Sequence, residues 1–559
     1  MKKFSVYIIS LFSVCMLASC SDFFESDSDS VIKTDGQTYQ SELEARSGLF
    51  GLLEGLQTVA DNYVLMGELR GDLMTTTTNS SQELHDIAEF NIKSDNSYLR
   101  EREYYTLLNN CNYYIEHLDT TVTKLVNGRS QKFLYPYLAQ AKAIRAWTYL
   151  QLCLDYGTVK YATAPILTTN DTQQMQVVDL DQLLPLLVSD LEKAQPWASV
   201  GTDDAEWVAG LTDPGFSSSV NFGDYQAKQL LFPIQFVLGE LYMWQQDFQK
   251  AVNCYYQLIV DNHLKLCQYR NGYNTTGTSV TTRNWSQQFS SFNYQDILTA
   301  IVANDNRTET RSHLNQMARQ DYTIAPSTAM IETFDAQFYY TNRQISGDLR
   351  GLYGTYRMTT GDDSHAEITK YNSMIASSRY YVVPVRASLI WLRYAECLNR
   401  LGKPKMAFNG FLKYGLSAYN INLYRDRDAL SGEVNGEPWI NFGQDNPEGE
   451  LANIFKDNAR GFHARGCGNT DMNESYAIEE QNSANDTLLW VEDQLVNEYV
   501  LETALEGNRF HDLMRISRYR NDPSYLADHV ARKYPAAERA AIRSKLMDKR
   551  NWYLPHVNN

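Results

Sequence analysis

The chain has 559 residues, of which 43% are hydrophobic and 21% charged, and carries a formal net charge of −17 at pH 7. This is the composition of a folded globular protein, which excludes a disordered chain, and its length exceeds one typical core, so more than one subdomain is expected. A surface this acidic repels nucleic acid, while 38 tyrosines and 9 tryptophans are enough to fill a core and still supply rings to a surface that handles polar ligands with flat apolar faces.

At the start, Lys2 and Lys3 precede the apolar run Phe4–Leu17, and Leu17-Ala18-Ser19-Cys20 follows. The run is too short to remain as a membrane-spanning helix. A basic region, an apolar region and small residues before a cleavage point make residues 1–19 a signal peptide. Leu-Ala-Ser-Cys resembles a bacterial lipobox, which implies lipid attachment at Cys20 and a tether over residues 20–40, where Ser21–Ser30 is acidic and serine-rich. Cys15 leaves with the signal, and the six remaining cysteines form no Cys-x-x-Cys pair. Zinc and dithiol chemistry are therefore not indicated, and these cysteines read as small buried hydrophobes whose disulfide state is open.

Along the mature chain, Ser41–Leu69 has helical periodicity. The turn Gly67-Glu68-Leu69-Arg70-Gly71-Asp72 and a polar loop over Thr75–Ser97 come next, then a helix over Tyr104–Leu118. Pro136–Tyr156 is a helix with a close-packed alanine face that stops at Gly157. Lys228–Val260, with Gly239, Ala251 and Tyr255, is near the tetratricopeptide pattern, and Val385–Leu412 follows the same logic. The three segments share no fixed period, so scattered helix pairs are expected and not a regular solenoid. The fold class is therefore mainly α: tetratricopeptide-like helix pairs form a scaffold with long loop-rich inserts and a few short strands. Residues 41–262 are the N-terminal scaffold, 263–384 a loop-rich ligand-binding region, 385–517 the C-terminal helices with an irregular insert at 417–485, and 518–559 the tail.

The most informative stretch is Val491–Ile516. Glu498, Glu502 and Glu506 recur every four residues, which stacks three carboxylates along one side of a helix. Apolar residues occupy nearly every other direction, the mark of a buried helix, so the carboxylates need partners. Gly507 suits a left-handed helix end, and a short helix beyond it presents Arg509, Asp512 and Arg515. The expectation is a buried acid–arginine cluster made of these six residues. A row of general acid/base groups is the alternative, since perturbed carboxylates arise in both settings.

This run resembles the C-terminal signature of the SusD/RagB family, the surface nutrient-binding lipoproteins of Bacteroidetes. Glu498, Glu502, Glu506, Gly507, Arg509, Phe510, Asp512, Leu513 and Arg515 match it, while Tyr499 and Ile516 stand where arginine and tryptophan are usual. Arg145-Ala146-Trp147 with Tyr156-Gly157, Pro326-Ser327 and Asp348-Leu349-Arg350 are also similar to family segments. The resemblance implies a non-catalytic, lipid-anchored protein on the outer face of the outer membrane. It would capture oligosaccharide and deliver it to a SusC-type TonB-dependent transporter. Peptide capture, as in the RagB branch, stays open, and a surface glycoside hydrolase is a more distant alternative.

No phosphate-binding loop, His-Glu-x-x-His or nucleophile elbow is present, and no cofactor or metal is called for. His463 and Cys467 are four apart, but two ligands do not make a zinc site, and the residues between them read as an exposed loop. Sugars need stacking rings and hydrogen-bonding groups. Composition points to two loops: Thr75–Arg100, with Asn79, Asn96, Tyr98 and Arg100, and Arg270–Tyr294, with Tyr273, Trp285 and Tyr294. Trp285, among Arg283, Asn284, Ser286 and Gln287, is the leading stacking residue.

Overall fold

The computed structural model describes residues 38–557 apart from 127, 169–170, 172–174, 197–226, 265–271, 274–279, 282–284, 286–295, 305–313, 341–343, 353, 374, 377–378, 416–436, 444, 457–460, 469–474 and 479–481. The signal peptide, Cys20 and most of the tether lie outside the described residues, as does Tyr294.

The first helix, α1 (Glu42–Leu69), opens on a capping box: the Ser41 side chain accepts from the Glu44 amide and the Glu44 carboxylate accepts from the Ser41 amide. Its first half buries one stripe. Its second half, from Val59 onward, is buried almost all round, because it packs on the N-terminal helices, on a short sheet and on the C-terminal helices. The expected polar loop after it holds more order than its composition suggests. Strand β1 (Met74–Thr76) and helix α2 (Gln82–Ala88), capped by Ser81, lie within it.

Helices α3 (Glu101–His117) and α4 (Tyr135–Tyr156) pack on each other and on α1. α4 begins with Pro136 in its first turn and ends at Gly157 with φ +79°, and all but two of its residues are buried. Helix α5 (Leu180–Ala194) packs beside α4, and α6 (Ile234–Trp244) and α7 (Phe248–Asp261) form a helical hairpin. Gly239 of α6 faces the Tyr255 ring of α7, where a Cβ would lie 2.6 Å from the ring; the small residue is what lets the pair close.

The region expected to be loop-rich supplies most of the described strands. β2 (Ile297–Asn304) pairs antiparallel with a later strand at Arg379–Arg386, and β3 (Ile324–Pro326) pairs antiparallel with β1, Met74 opposite Pro326. Helix α8 (Thr328–Asp335) follows, and the Arg379–Arg386 strand is β4. β4 runs directly into α9 (Ala387–Arg400), which packs on α7 and on α11 (Ala484–Thr503). Between these, α10 (Met406–Lys413) is wound as a π-helix. α12 (Arg509–Arg520), α13 (Pro523–Ala531) and α14 (Ala536–Leu546) complete the chain.

The mainly helical fold with a few short strands is as expected. Buried apolar residues from Ala45 to Leu554 nevertheless make one continuous core, because α1 runs between the two groups of helices. Helix α11 also ends earlier than the glycine suggests. It stops at Thr503, and the chain turns through Leu505 (φ +67°) before Gly507 (φ +98°). Lys370 and Tyr371 hold that turn by donating to the carbonyls of Ala504 and Leu505.

Candidate functional site

The acid row lies inside the molecule, with Glu498, Glu502 and Glu506 no more than 3% exposed. Arg350 bridges the first two, at 2.7 Å from Glu498 and 2.9 Å from Glu502, and is held by Asp348 at 2.7 Å. Arg386, at the end of β4, reaches Glu502 at 3.1 Å, Glu506 at 2.7 Å and Asp296 at 3.0 Å. Arg465 meets Glu502 at 3.0 Å, His463 meets Glu498 at 2.9 Å, and Lys370 pairs with Glu506. Burial alone would raise the Glu502 carboxyl, but Arg465, Arg386 and Arg350 bring it down to about 2. These carboxylates are spent on buried cations and reach no solvent, so the row is not an acid/base set.

The expected six-residue cluster is therefore corrected in its wiring. Arg509 and Arg515 do not neutralise the row. Arg509 grips Asp72 at 2.6 Å, and Arg515 pairs with Asp512 at 2.7 Å and with Glu396 at 2.8 Å. Arg393 of α9 also reaches Asp512 at 2.7 Å. The Tyr499 hydroxyl donates to Glu396, with the Arg393 guanidinium over its ring. His463 and Cys467 are likewise corrected. They flank a buried helical turn, where His463 stacks on Tyr476 and the Cys467 thiol donates to Asp348. Five of the six mature cysteines are buried and free; Cys267 lies outside the described residues. Among the described residues, no group of three His, Cys, Asp or Glu side chains is arranged to hold a metal.

The proposed ligand residues separate. Trp285 is fully buried in the core with its ring beside the Lys370 and Arg386 cations. It roofs the ion-pair cluster and offers no face to a ligand, because the apolar core took the ring that its polar neighbours seemed to expose. The backbone of Tyr273 belongs to a two-residue strand, and nothing further is described for its side chain. Asn96 is buried and bridges Glu83 and Tyr98 inside its own loop. Tyr98 packs half-buried on the core, and Arg100 donates to the carbonyls of Ser97 and Leu99 at the start of α3. Asn79 alone of these early-loop residues is exposed, its amide donating to the Asp321 carbonyl at 3.1 Å.

Asn79 marks a junction of several segments. Thr77 donates to the Tyr322 carbonyl, Ser80 to that of Thr323, and β1 pairs with β3 directly behind. Gln316–Gln320 just before it is a π-helical turn, a feature enriched at functional sites. Tyr322 sits at φ +47°, a conformation that costs a bulky residue energy and persists only where the surroundings hold it. Its ring packs on His365 at 4.2 Å and its hydroxyl donates to the Ala366 carbonyl. Arg357, Arg319 and His365 surround Glu367, with Arg357 at 2.8 Å. The junction thus offers two partly exposed rings, two guanidinium groups braced by the buried Glu367 carboxylate, and an amide on a fixed backbone. Of the residues gathered here, Asn79 is among those expected from composition, whereas Tyr322, His365, Arg319 and Arg357 are not. A large ring between Asp321 and Thr323 was the available signal.

No family model matches the chain. Over 455 residues it is 22% identical to SusD-like protein P38 of Formosa agariphila, covering 73% of this chain and 81% of that one. The fold is similar to that of a SusD superfamily protein from Bacteroides vulgatus, with TM-score 0.54 and 15% identity, over 86% of this chain and 89% of the other. A SusD-like carbohydrate binding protein from the same species aligns at TM-score 0.53 and 13% identity, over 86% and 84% of the two chains. The fold is that of the SusD superfamily, and the resemblance carried by the C-terminal motif is borne out.

Proposed function

We propose that the chain is a non-catalytic glycan-binding lipoprotein of the cell surface. It is anchored in the outer membrane through lipid on Cys20, and it captures oligosaccharide for a SusC-type TonB-dependent transporter. The observation that carries this reading is the junction at Tyr322. The Tyr322 ring, set on a backbone at positive φ, and its histidine neighbour offer apolar faces to sugar C–H groups, with guanidinium and amide groups around them for hydroxyls. The description of one structural neighbour as a carbohydrate binding protein supports the same class of ligand. The β1–β3 pairing and the bonds from Thr77, Asn79 and Ser80 to the Asp321–Thr323 carbonyls hold the junction, so the site is formed before the ligand arrives and little ordering is lost on binding. Among the described residues, no helix is long and apolar enough to cross a membrane; the proposed attachment is the lipid.

A glycan array run against a peptide library tests this reading. Binding confined to glycans is expected. Binding confined to peptides, basic ones first given the charge of −17, would replace it with peptide capture. Release of reducing ends from a bound glycan would make the protein a hydrolase.

A further inference from the structure

A second cleft lies far along the chain from the Tyr322 junction, between α3, α4 and the strand-and-loop segment at residues 158–166. It encloses about 370 Å³, within the range of small-molecule pockets. Its wall is mostly apolar, with Tyr105, Leu108, Tyr149, Ile166 and Met175 lining it. The wall is also pre-formed. The Tyr105 hydroxyl accepts from the Lys160 amide at 2.8 Å, and the Asn109 side-chain amide accepts from the Ile166 N–H at 2.7 Å and donates to the Ile166 carbonyl at 3.1 Å.

The electrostatics of this cleft run against those of the protein. The net charge is −17, yet exposed Arg102 and Lys160 line the cleft. Glu101 is the one acid among the described lining residues, and it is already engaged. His556 meets it at 2.7 Å, and the Val557 amide donates to its other oxygen at 2.7 Å. Two cations beside an apolar wall, with the local acid already hydrogen-bonded through both its oxygens, select an anion that carries a flat apolar body.

We propose that this cleft binds a ring bearing a carboxylate, with the ring against Tyr105 and Ile166 and the carboxylate at Arg102 and Lys160. A uronic acid and an aromatic acid share that chemistry. The site is separate from the Tyr322 junction and does not depend on glycan capture there.

The test is ligand-observed NMR on the full mature chain with D-glucuronate, 4-hydroxybenzoate and neutral D-glucose. The expected result is binding of at least one acid and not of glucose, weakened at least tenfold in an Arg102→Gln/Lys160→Gln variant whose melting temperature is unchanged. Glucuronate alone binding assigns the site to acidic sugar, and hydroxybenzoate alone to an aromatic acid. Equal binding of glucose, unaltered binding in the variant, or no binding of either acid would overturn the proposal. Tyr322→Ala should leave acid binding intact, so failure at this cleft is distinguishable from failure at the junction.

Discussion

Gly67 and Gly507 meet backbone to backbone: a Cβ on Gly67 would fall 1.8 Å from the carbonyl oxygen of Gly507. One residue sits near the end of α1 and the other in the turn between α11 and α12, so the first and last parts of the scaffold close where Gly67 has no side chain. The Gly507 amide then donates to Glu68 at 2.7 Å.

Gly67→Ala should therefore destabilise the protein by about 2–3 kcal/mol or more, since the methyl group has no space and both partners are backbone. Gly51 lies in the same helix with nothing within 4 Å of its would-be Cβ. Gly51→Ala should be neutral or stabilise by about 0.5–1 kcal/mol, the ordinary helix gain. Urea denaturation of both variants checks the pair.

Glu502→Gln should cost about 3–5 kcal/mol, because Arg386, Arg350 and Arg465 would be left buried with too little negative charge. The same carboxyl sets an acid limit. Its folded pKa, about 2, lies below the ordinary 4.5, so its contribution is present above pH 4.5 and lost as pH falls through about 2. Denaturation midpoints measured from pH 5 down to 2 should show this slope in the wild type and a shallower one in the variant.

Glu68 acts in the opposite sense. Burial pushes its carboxyl up to about 7, against the Gly507 amide and the Lys370 charge, which lower it. The folded chain keeps a proton that the unfolded chain loses above about pH 4.5. The contribution is thus complete below pH 4.5 and lost as pH rises through about 7. Glu68→Gln keeps an acceptor for the Gly507 amide and should flatten stability across that window, as read from melting temperature against pH.

How much of this was legible in the sequence follows from distance along the chain. The acid row is visible because a helix places residues four apart on one side. Its partners are not, since Arg350 and Arg386 lie 116 to 152 residues away, and no local pattern specifies which arginine reaches which acid. The helix pairs are legible from small residues such as Gly239. The ligand surface is not, because exposure is a property of the whole fold. Trp285 has polar neighbours and ends in the core, whereas Tyr322 has polar neighbours and ends at the surface.

Trp285→Ala should accordingly lower stability by about 3–5 kcal/mol, the cost of removing a fully buried indole. Its effect on ligand affinity should vanish once the folded fraction is allowed for. Paired denaturation and calorimetry separate the two effects.

The most direct measurement is isothermal titration calorimetry of the mature protein and of Tyr322→Ala with an oligosaccharide selected on the array, with the products analysed after each run. Glycan capture at the Tyr322 junction predicts saturable binding by the wild type, a loss of about 1–3 kcal/mol in the variant, on the scale of stacking a ring on an aromatic side chain, and ligand recovered uncut. Equal affinity in the two proteins, or cleaved ligand in the wild-type cell, would contradict it.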